Sequence, residues 1–331
     1  MIIAVDTGYQ DTPLFSEMVN HYDAFVVNDA DRLLVITSSS VKELDARFAN
    51  LPTETFVFDN DMQLASRKFM NKRQIGVKDT TVGDDQSTIF IAGPCSVESR
   101  EQIREVAQAV KDSGGRFFRA GAYKPRTSPY SFQGLGEEGI KLLRETCDEL
   151  ALNLVTEVRD ATHVDILLDH ADVIQVGAKA MYDHGVLKAC GKSNKAILLK
   201  RGFGSTLQEF IQAAEFILSS GNSNVMLCER GIRTFENKTR FTLDLCGVAY
   251  LKDQTNLPII IDPSHAMGYA YGVPDLARAA FAMGIDGLLI EVHPNPSAAK
   301  SDASQQLTID EYRALLASLR KFEAPVGREL I

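Results

Sequence analysis

The sequence predicts an α/β chain, a (β/α)8 TIM barrel preceded by a small ferredoxin-like βαββαβ unit. Three observations carry the prediction. From residue 87 onward, short β-branched runs alternate with helical stretches eight times. Before residue 63, strand-like and helical runs follow one another in the order β-α-β-β-α-β. The charge divides at the same place: residues 1–62 hold 11 acidic and three basic residues, net −8, and the rest hold 33 and 32, net −1. A length of 331 residues accommodates one barrel and one further unit.

In the first unit, MIIAV reads as a strand. Asp11 and Thr12 precede PLFSEMVNHY, giving a capping side chain, an early proline and then a helix. DAFVVND and RLLVITSS read as strands joined by the turn NDADR. Ser40 stands as the cap of VKELDARFANL, a helix with apolar residues at Val41, Leu44, Phe48 and Leu51. TETFVFDND closes the unit, residues 1–62, as a strand. Residues 63–86 are polar, with Arg67, Lys68, Lys72 and Arg73, and form a connector with room for a short hairpin. Barrel strands are expected at 88–93, 116–121, 153–158, 172–177, 196–201, 224–229, 258–262 and 287–292, within a catalytic region spanning 87–331. Helices are expected at 100–113, 137–151, 161–169, 184–190, 206–219, 241–253, 274–283 and 308–321. A doubly wound open sheet is the alternative, but eight successive units without a glycine-rich dinucleotide fingerprint favour the barrel.

Composition excludes several classes. The chain is 45% hydrophobic and 24% charged, enough apolar material for a large core without disulfide or metal staples. A formal charge of −9 argues against nucleic-acid binding, which needs a basic face. No apolar run approaches the roughly 20 residues of a membrane span. The start, MIIAVDTGYQD, lacks a basic leader segment. Cys95, Cys147, Cys190, Cys228 and Cys246 are odd in number and contain no CxxC pair. The expectation is a cytoplasmic protein with reduced thiols.

In a barrel, function sits at the carboxyl ends of the strands. Two groups of residues emerge there. Arg119, Lys124, Arg126, Lys179, Lys200, Arg201 and Arg230 are cations that would repel one another at one mouth unless anions bind among them. More than one phosphate or carboxylate is implied. The second group is Cys95, His265, Glu291 and Asp302, a thiol, imidazole and carboxylate set suited to one divalent metal ion, with Mn, Fe, Co and Zn all left open. Cys147, Cys190 and Cys246 fall in helical stretches and Cys228 in a strand. His163, His170 and His184 read as surface or helix-edge residues, and His21 lies far off in the first unit. His293, two residues past Glu291, faces the same way if the strand stays extended.

The motifs GPCSVES, KPRTSPYSFQG, LLKRG, LCERGIRTFE, DPSHAMG and LIEVHPNPSAAKSD resemble those of 3-deoxy-D-arabino-heptulosonate 7-phosphate (DAHP) synthases. The resemblance covers residues 87–322 and is to the type I-beta subgroup, which joins an N-terminal ferredoxin-like domain to the barrel. It implies condensation of phosphoenolpyruvate with erythrose 4-phosphate, the first step of the shikimate pathway. By that resemblance, Cys95, His265, Glu291 and Asp302 are the metal ligands. Arg119, Lys124 and Lys200 surround the donor carboxylate, and Lys179 and Arg230 hold its phosphate. Arg126, Thr127 and Ser128 serve erythrose 4-phosphate. Lys124 acts either in proton transfer or as a fixed charge. The resemblance further implies a homotetramer and a regulatory role for residues 1–62, with Tyr or Phe as feedback inhibitor; a passive folding or assembly aid is the alternative.

Three positions depart from the family pattern. Lys179 stands for the usual Arg, Ala180-Met181 for Asn-Met, and Phe241 for a common Asn. The nearest rival is 3-deoxy-D-manno-octulosonate 8-phosphate synthase, whose acceptor motif reads KANRSS where this chain has KPRTS. A non-catalytic sensor with a decayed site is disfavoured by the complete ligand set.

Overall fold

A computed structural model describes residues 1–124, 128 and 130–331. In the first unit, strand alternation sorts side chains onto two faces. Strands β1 (Ile2–Asp6), β2 (Phe25–Asp29), β3 (Arg32–Ile36) and β4 (Pro52–Phe56) form an antiparallel sheet in the order β2-β3-β1-β4. Met1, Ile3, Val5, Leu33 and Val35 face Phe15 and Met18 of helix α1 (Pro13–His21), with Phe48 and Leu51. Thr12 caps α1 by accepting from the Phe15 N–H. Ile2, Ala4, Val27, Leu34 and Ile36 point the other way, in a cluster with Phe58 and Met62 and with Leu64 and Phe69 of the connector.

The helix expected over VKELDARFANL is not there. That stretch runs irregularly, with one 3-10 turn at Ala46–Phe48. Asp45 is the reason: its side chain accepts from the Arg47 N–H, and its own N–H donates to the Tyr22 hydroxyl at 2.7 Å. Local side-chain bonds of this kind compete with the helical ladder. Phe48 and Leu51 still reach the core, so the apolar pattern is satisfied without the helix.

A hairpin of β5 (Ile75–Val77) and β6 (Thr80–Val82) follows. Eight parallel strands then close into the barrel: β7 (Ser87–Gly93), β8 (Phe117–Arg119), β9 (Asn153–Val158), β10 (Val173–Val176), β11 (Ala196–Lys200), β12 (Val225–Glu229), β13 (Ile259–Ile261) and β14 (Gly287–Glu291), with β14 pairing back onto β7. They are apolar runs because both faces are covered. Ile89, Ile91, Phe117, Val155, Leu198, Met226 and Leu289 fill the interior, whose floor is closed by Ile75, Val77 and Val82 of the hairpin. Phe90, Phe118, Leu154 and Leu227 face the helices.

The outer layer comprises α2 (Arg100–Asp112), α3 (Gly136–Leu150), α4 (Val164–His170), α5 (His184–Gly191), α6 (Leu207–Leu218), α7 (Leu245–Gln254), the short α8 (Pro263–Met267), α9 (Val273–Ala282), α10 (Ile309–Arg320) and α11 (Glu323–Val326). The strand β15 (Glu329–Leu330) pairs with the start of β7. Helix α7 begins four residues later than expected. Asp244 caps it through Gly247, and Thr242 is spent on a two-way pairing with Ile232. Among the described residues, no helix is long and apolar enough to cross a membrane.

The connector that follows the first unit is tied to the barrel by Glu215 of α6. Its carboxylate accepts from the backbone N–H groups of Gln63, Leu64 and Ala65 at 2.7, 3.2 and 2.8 Å. Burial pushes this carboxyl up to about 7 although the three donors oppose it. Replacing Glu215 with Ala orphans three buried donors. Glu215→Ala should therefore lose about 3 kcal/mol in urea unfolding, and an unchanged midpoint would show the junction to be held by apolar packing alone.

Candidate active site

Position at the mouth follows from barrel order. Closure of β14 onto β7 sets Glu291 opposite Gly93, so the loop carrying Cys95 lies beside the eighth strand. Gly93 is obligatory at this seam, because a Cβ there would lie 1.9 Å from the Arg119 carbonyl oxygen. Cys95 is held by its backbone N–H, which donates to Gln306 Oε1 at 2.9 Å. Its Sγ lies 3.2 Å from Asp302 Oδ2 and 3.1 Å from Lys124 Nζ. Asp302 takes a left-handed backbone, φ 46°, which Asp tolerates better than most residues. Its loop is stapled to the Cys95 loop by Ser96–Ser301 hydroxyls at 2.7 Å and by the Lys300 N–H donating to Glu98 at 2.8 Å.

His265 sits on α8, whose five residues are fixed by Asp262 as cap and by Pro263 at the first turn. Asp262 accepts from the His265 N–H at 3.0 Å, and its Oδ2 lies 2.7 Å from His265 Nδ1. The ring is thereby aimed so that Nε2 stands 3.5 Å from Glu291 Oε1. One atom each from Cys95, Glu291 and Asp302 lie within 4.8 Å of one another. Gln305 donates to Glu291 Oε2 at 2.5 Å and accepts from Arg240 at 2.6 Å.

Three of the cations arrive with carboxylate counter-charges. Arg119 donates to Glu291 at 2.9 Å and to the Pro94 carbonyl at 2.8 Å. Lys200 pairs with Asp262 at 2.5 Å. Lys124 donates to the Cys95 carbonyl at 3.0 Å. Arg201 is spent on Glu229 and Asp244, at 3.0 and 2.8 Å, and does not line the cavity. Arg230 and Lys179 have no hydrogen bond or ion pair among the described residues, and Nη1 of Arg230 is buried without a partner. Lys124, Lys179, Lys200, Arg230, Ser128, His265 and Asp302 line a cavity of about 430 Å³, with Cys95 and Glu291 buried beneath. Arg126 and Thr127 lie outside the described residues. His293 is buried against Glu98, 3.6 Å away, and accepts from the Asn295 N–H, so it supports the loop and does not face the cavity.

Sequence reading overlooked Asp262, Gln305, Gln306 and Arg240. Asp262 carried a signal, an acid three residues before His265 at a strand end. The glutamines carried none, since their roles depend on loop geometry.

The electrostatics suit a cation among Cys95, Glu291 and Asp302, beside His265. Burial, reinforced by Glu291, pushes the Cys95 thiol up to about 12. Burial also lowers His265, against the opposing pull of Asp262 and Glu291. Burial works against the charge on Asp302, but His265 and Arg240 pull it down to about 2. Glu291, likewise desolvated, is held below the usual range by His265 and Arg119. Two carboxylates and a thiol converge, with an imidazole 3.5 Å from one of the carboxylates, a donor set that fits a divalent transition metal. Uptake must expel the thiol proton, so affinity should rise with pH, about tenfold per unit around neutrality. A Co²⁺ titration at pH 6, 7 and 8 checks the slope, and Cys95→Ser should remove the sulfur-to-metal absorption band; a pH-independent affinity would show that the thiol does not bind.

Comparison with known proteins agrees with this geometry. Residues 62–325 match the model of the DAHP synthetase I family. A phospho-2-dehydro-3-deoxyheptonate aldolase from Thermotoga maritima is 44% identical over 266 residues, 80% of this chain and 78% of the relative. A 2-dehydro-3-deoxyphosphooctonate aldolase from Bordetella petrii is 31% identical over 271 residues, 75% of this chain and 94% of the relative. The crystal structure of the Thermotoga maritima DAHP synthase superimposes with a TM-score of 0.81 at 36% identity, covering 100% of this chain and 99% of that one. With the barrel, the N-terminal sheet and the mouth residues in place, the chain belongs to the DAHP synthetase I family of enzymes.

Proposed function

We propose that the chain condenses phosphoenolpyruvate with erythrose 4-phosphate and water to give DAHP and inorganic phosphate, in a metal-dependent reaction that opens the shikimate pathway. The observation that carries this reading is the cationic cavity beside the Cys95, Glu291 and Asp302 cluster, with His265 Nε2 3.5 Å from Glu291. Cys95, His265, Glu291 and Asp302 would hold a divalent ion, which would supply Lewis acidity at an aldehyde oxygen. Arg119, Lys124 and Lys200 receive the donor carboxylate, and Arg230 and Lys179 its phosphate. Arg126, Thr127 and Ser128 receive the acceptor. The clamps hold two polyanions at reacting distance, against their mutual repulsion. A bond forms between C3 of phosphoenolpyruvate and the aldehyde carbon, water adds at C2, and phosphate leaves with C–O cleavage. Burial works against the Lys124 ammonium, but Cys95 and Glu157 raise its pKa. Lys124 therefore keeps a proton near the aldehyde oxygen as that oxygen becomes a hydroxyl.

The acceptor separates this reading from the octulosonate alternative. Phosphate release from phosphoenolpyruvate should occur with erythrose 4-phosphate and Mn²⁺ and stop with chelator. Faster release with arabinose 5-phosphate favours the alternative, and release with neither acceptor defeats both.

Residues 1–62 are proposed as a feedback module within a homotetramer, with Tyr or Phe as effector. The separate acidic sheet, followed by a connector that one buried carboxylate anchors, supports the reading. Titration of either amino acid into the intact enzyme should lower the initial rate. An enzyme indifferent to both has a passive N-terminal unit.

A further inference from the structure

Arg230 is unlike most strand-end cations around it. Arg119, Lys200 and Arg201 each hold a carboxylate, whereas Arg230 holds none among the described residues. It is 5% exposed and forms no hydrogen bond or ion pair among the described residues. What it does have is an aromatic face. Its guanidinium carbon lies 4.5 Å from the centroid of the Phe241 ring. Phe241 in turn stacks on Phe203, with centroids 5.6 Å apart and planes at 25°, and Arg233 caps Phe203 at 4.9 Å. Both rings and Arg230 line the cavity.

The ring is placed by backbone and not by chance packing. The Phe241 N–H donates to the Ala266 carbonyl at 2.9 Å, and the Arg240 N–H to that of Met267 at 3.1 Å. Ile232 and Thr242 pair in both directions alongside. Gly231, at φ +92°, permits the approach, because a Cβ there would lie 2.7 Å from Phe241 Cβ. The segment carrying Phe241 is thus pinned to the helix that carries His265.

A carboxylate would anchor Arg230 equally well but would compete with any anion for its donors. A ring face attracts the cation through its quadrupole and leaves the charge and the N–H groups free. We propose that Phe241 is a positioning residue for anion binding: its ring holds the Arg230 guanidinium at the cavity without neutralising it, leaving the full charge for a phosphate group. Naming that group as the phosphate of phosphoenolpyruvate rests on the function proposed above.

The test compares equilibrium binding of phosphoenolpyruvate and of inorganic phosphate, by calorimetry, in wild type, Phe241→Leu and Phe241→Tyr. Leu keeps apolar bulk and loses the quadrupole; Tyr keeps both. Phe241→Leu should weaken both ligands about fivefold, raise KM for phosphoenolpyruvate similarly and leave kcat within twofold. Phe241→Tyr should restore wild-type values. In an Arg230→Ala background, Phe241→Leu should add no further loss. Unaltered binding in Phe241→Leu overturns the proposal. So does equal weakening in the Leu and Tyr variants, or a full additional loss in the Arg230→Ala background. Co²⁺ uptake reports folding of the site in each variant. If wild type binds inorganic phosphate but neither binds nor turns over phosphoenolpyruvate, the functional reading fails while the phosphate arm still decides the role of Phe241.

Discussion

The structure depends on one electrostatic constraint: several cations are buried at a single barrel mouth, and each must be compensated without closing the site to anions. Removing a charge from water costs several kcal/mol unless a partner replaces the lost hydration. The partners chosen here do double service. Glu291 is the counter-ion of Arg119 and also offers one of the three converging donor atoms. Asp262 neutralises Lys200 and at the same time caps α8 and aims His265. Cys95 receives Lys124 through both its carbonyl and its sulfur. The cation set and the ligand set are therefore one network, and moving any member disturbs both.

Barrel closure decides where that network forms. Cys95 and Asp302 are 207 residues apart in sequence, yet they occupy adjacent loops because β14 pairs with β7. Short polar links then fix the two loops to each other: Ser96 to Ser301, Glu98 to the Lys300 N–H, and Gln306 to the Cys95 N–H. These links explain how Asp302 can hold a left-handed backbone at a position where the sulfur and the carboxylate must meet. The chemistry is set by side chains, but the separation among them is set by loops that are tied down at several points.

Much of this was readable before any coordinates. The barrel strands announce themselves because they are buried on both faces and so are continuously apolar, and their ends point to the mouth by topology alone. Cys95, His265, Glu291 and Asp302 were readable as strand-end residues of compatible chemistry, and the structure brings the donor atoms of Cys95, Glu291 and Asp302 within 4.8 Å of one another. What was not readable is instructive. The segment around Val41, Leu44, Phe48 and Leu51 had helical spacing, but Asp45 captured the local N–H and turned the chain. The late start of α7 arose from a pairing with Ile232 that no local pattern encodes. Gln305 and Gln306 have no signature, since an amide supports a site only once a loop delivers it. Arg201 looked equivalent to Lys200 one residue earlier. Strand alternation sends their side chains to opposite faces, and only Lys200 reaches the cavity.

The charge division along the chain takes on meaning at the same site. The acidic first unit rests on the connector, which meets α6 through a backbone-to-carboxylate junction, and contributes no residue to the cavity lining. Beyond about 10 Å, exposed charges are largely screened at ordinary ionic strength. The field felt by an anion entering the mouth is therefore governed by the nearest groups and by which of them are already neutralised. On that account Arg119, Lys200 and Arg201 count for little as free charge, whereas Arg230 and Lys179 count fully. A net charge of −9 is thus compatible with a site built for anions, because the acids that matter there are the few that are buried and spoken for.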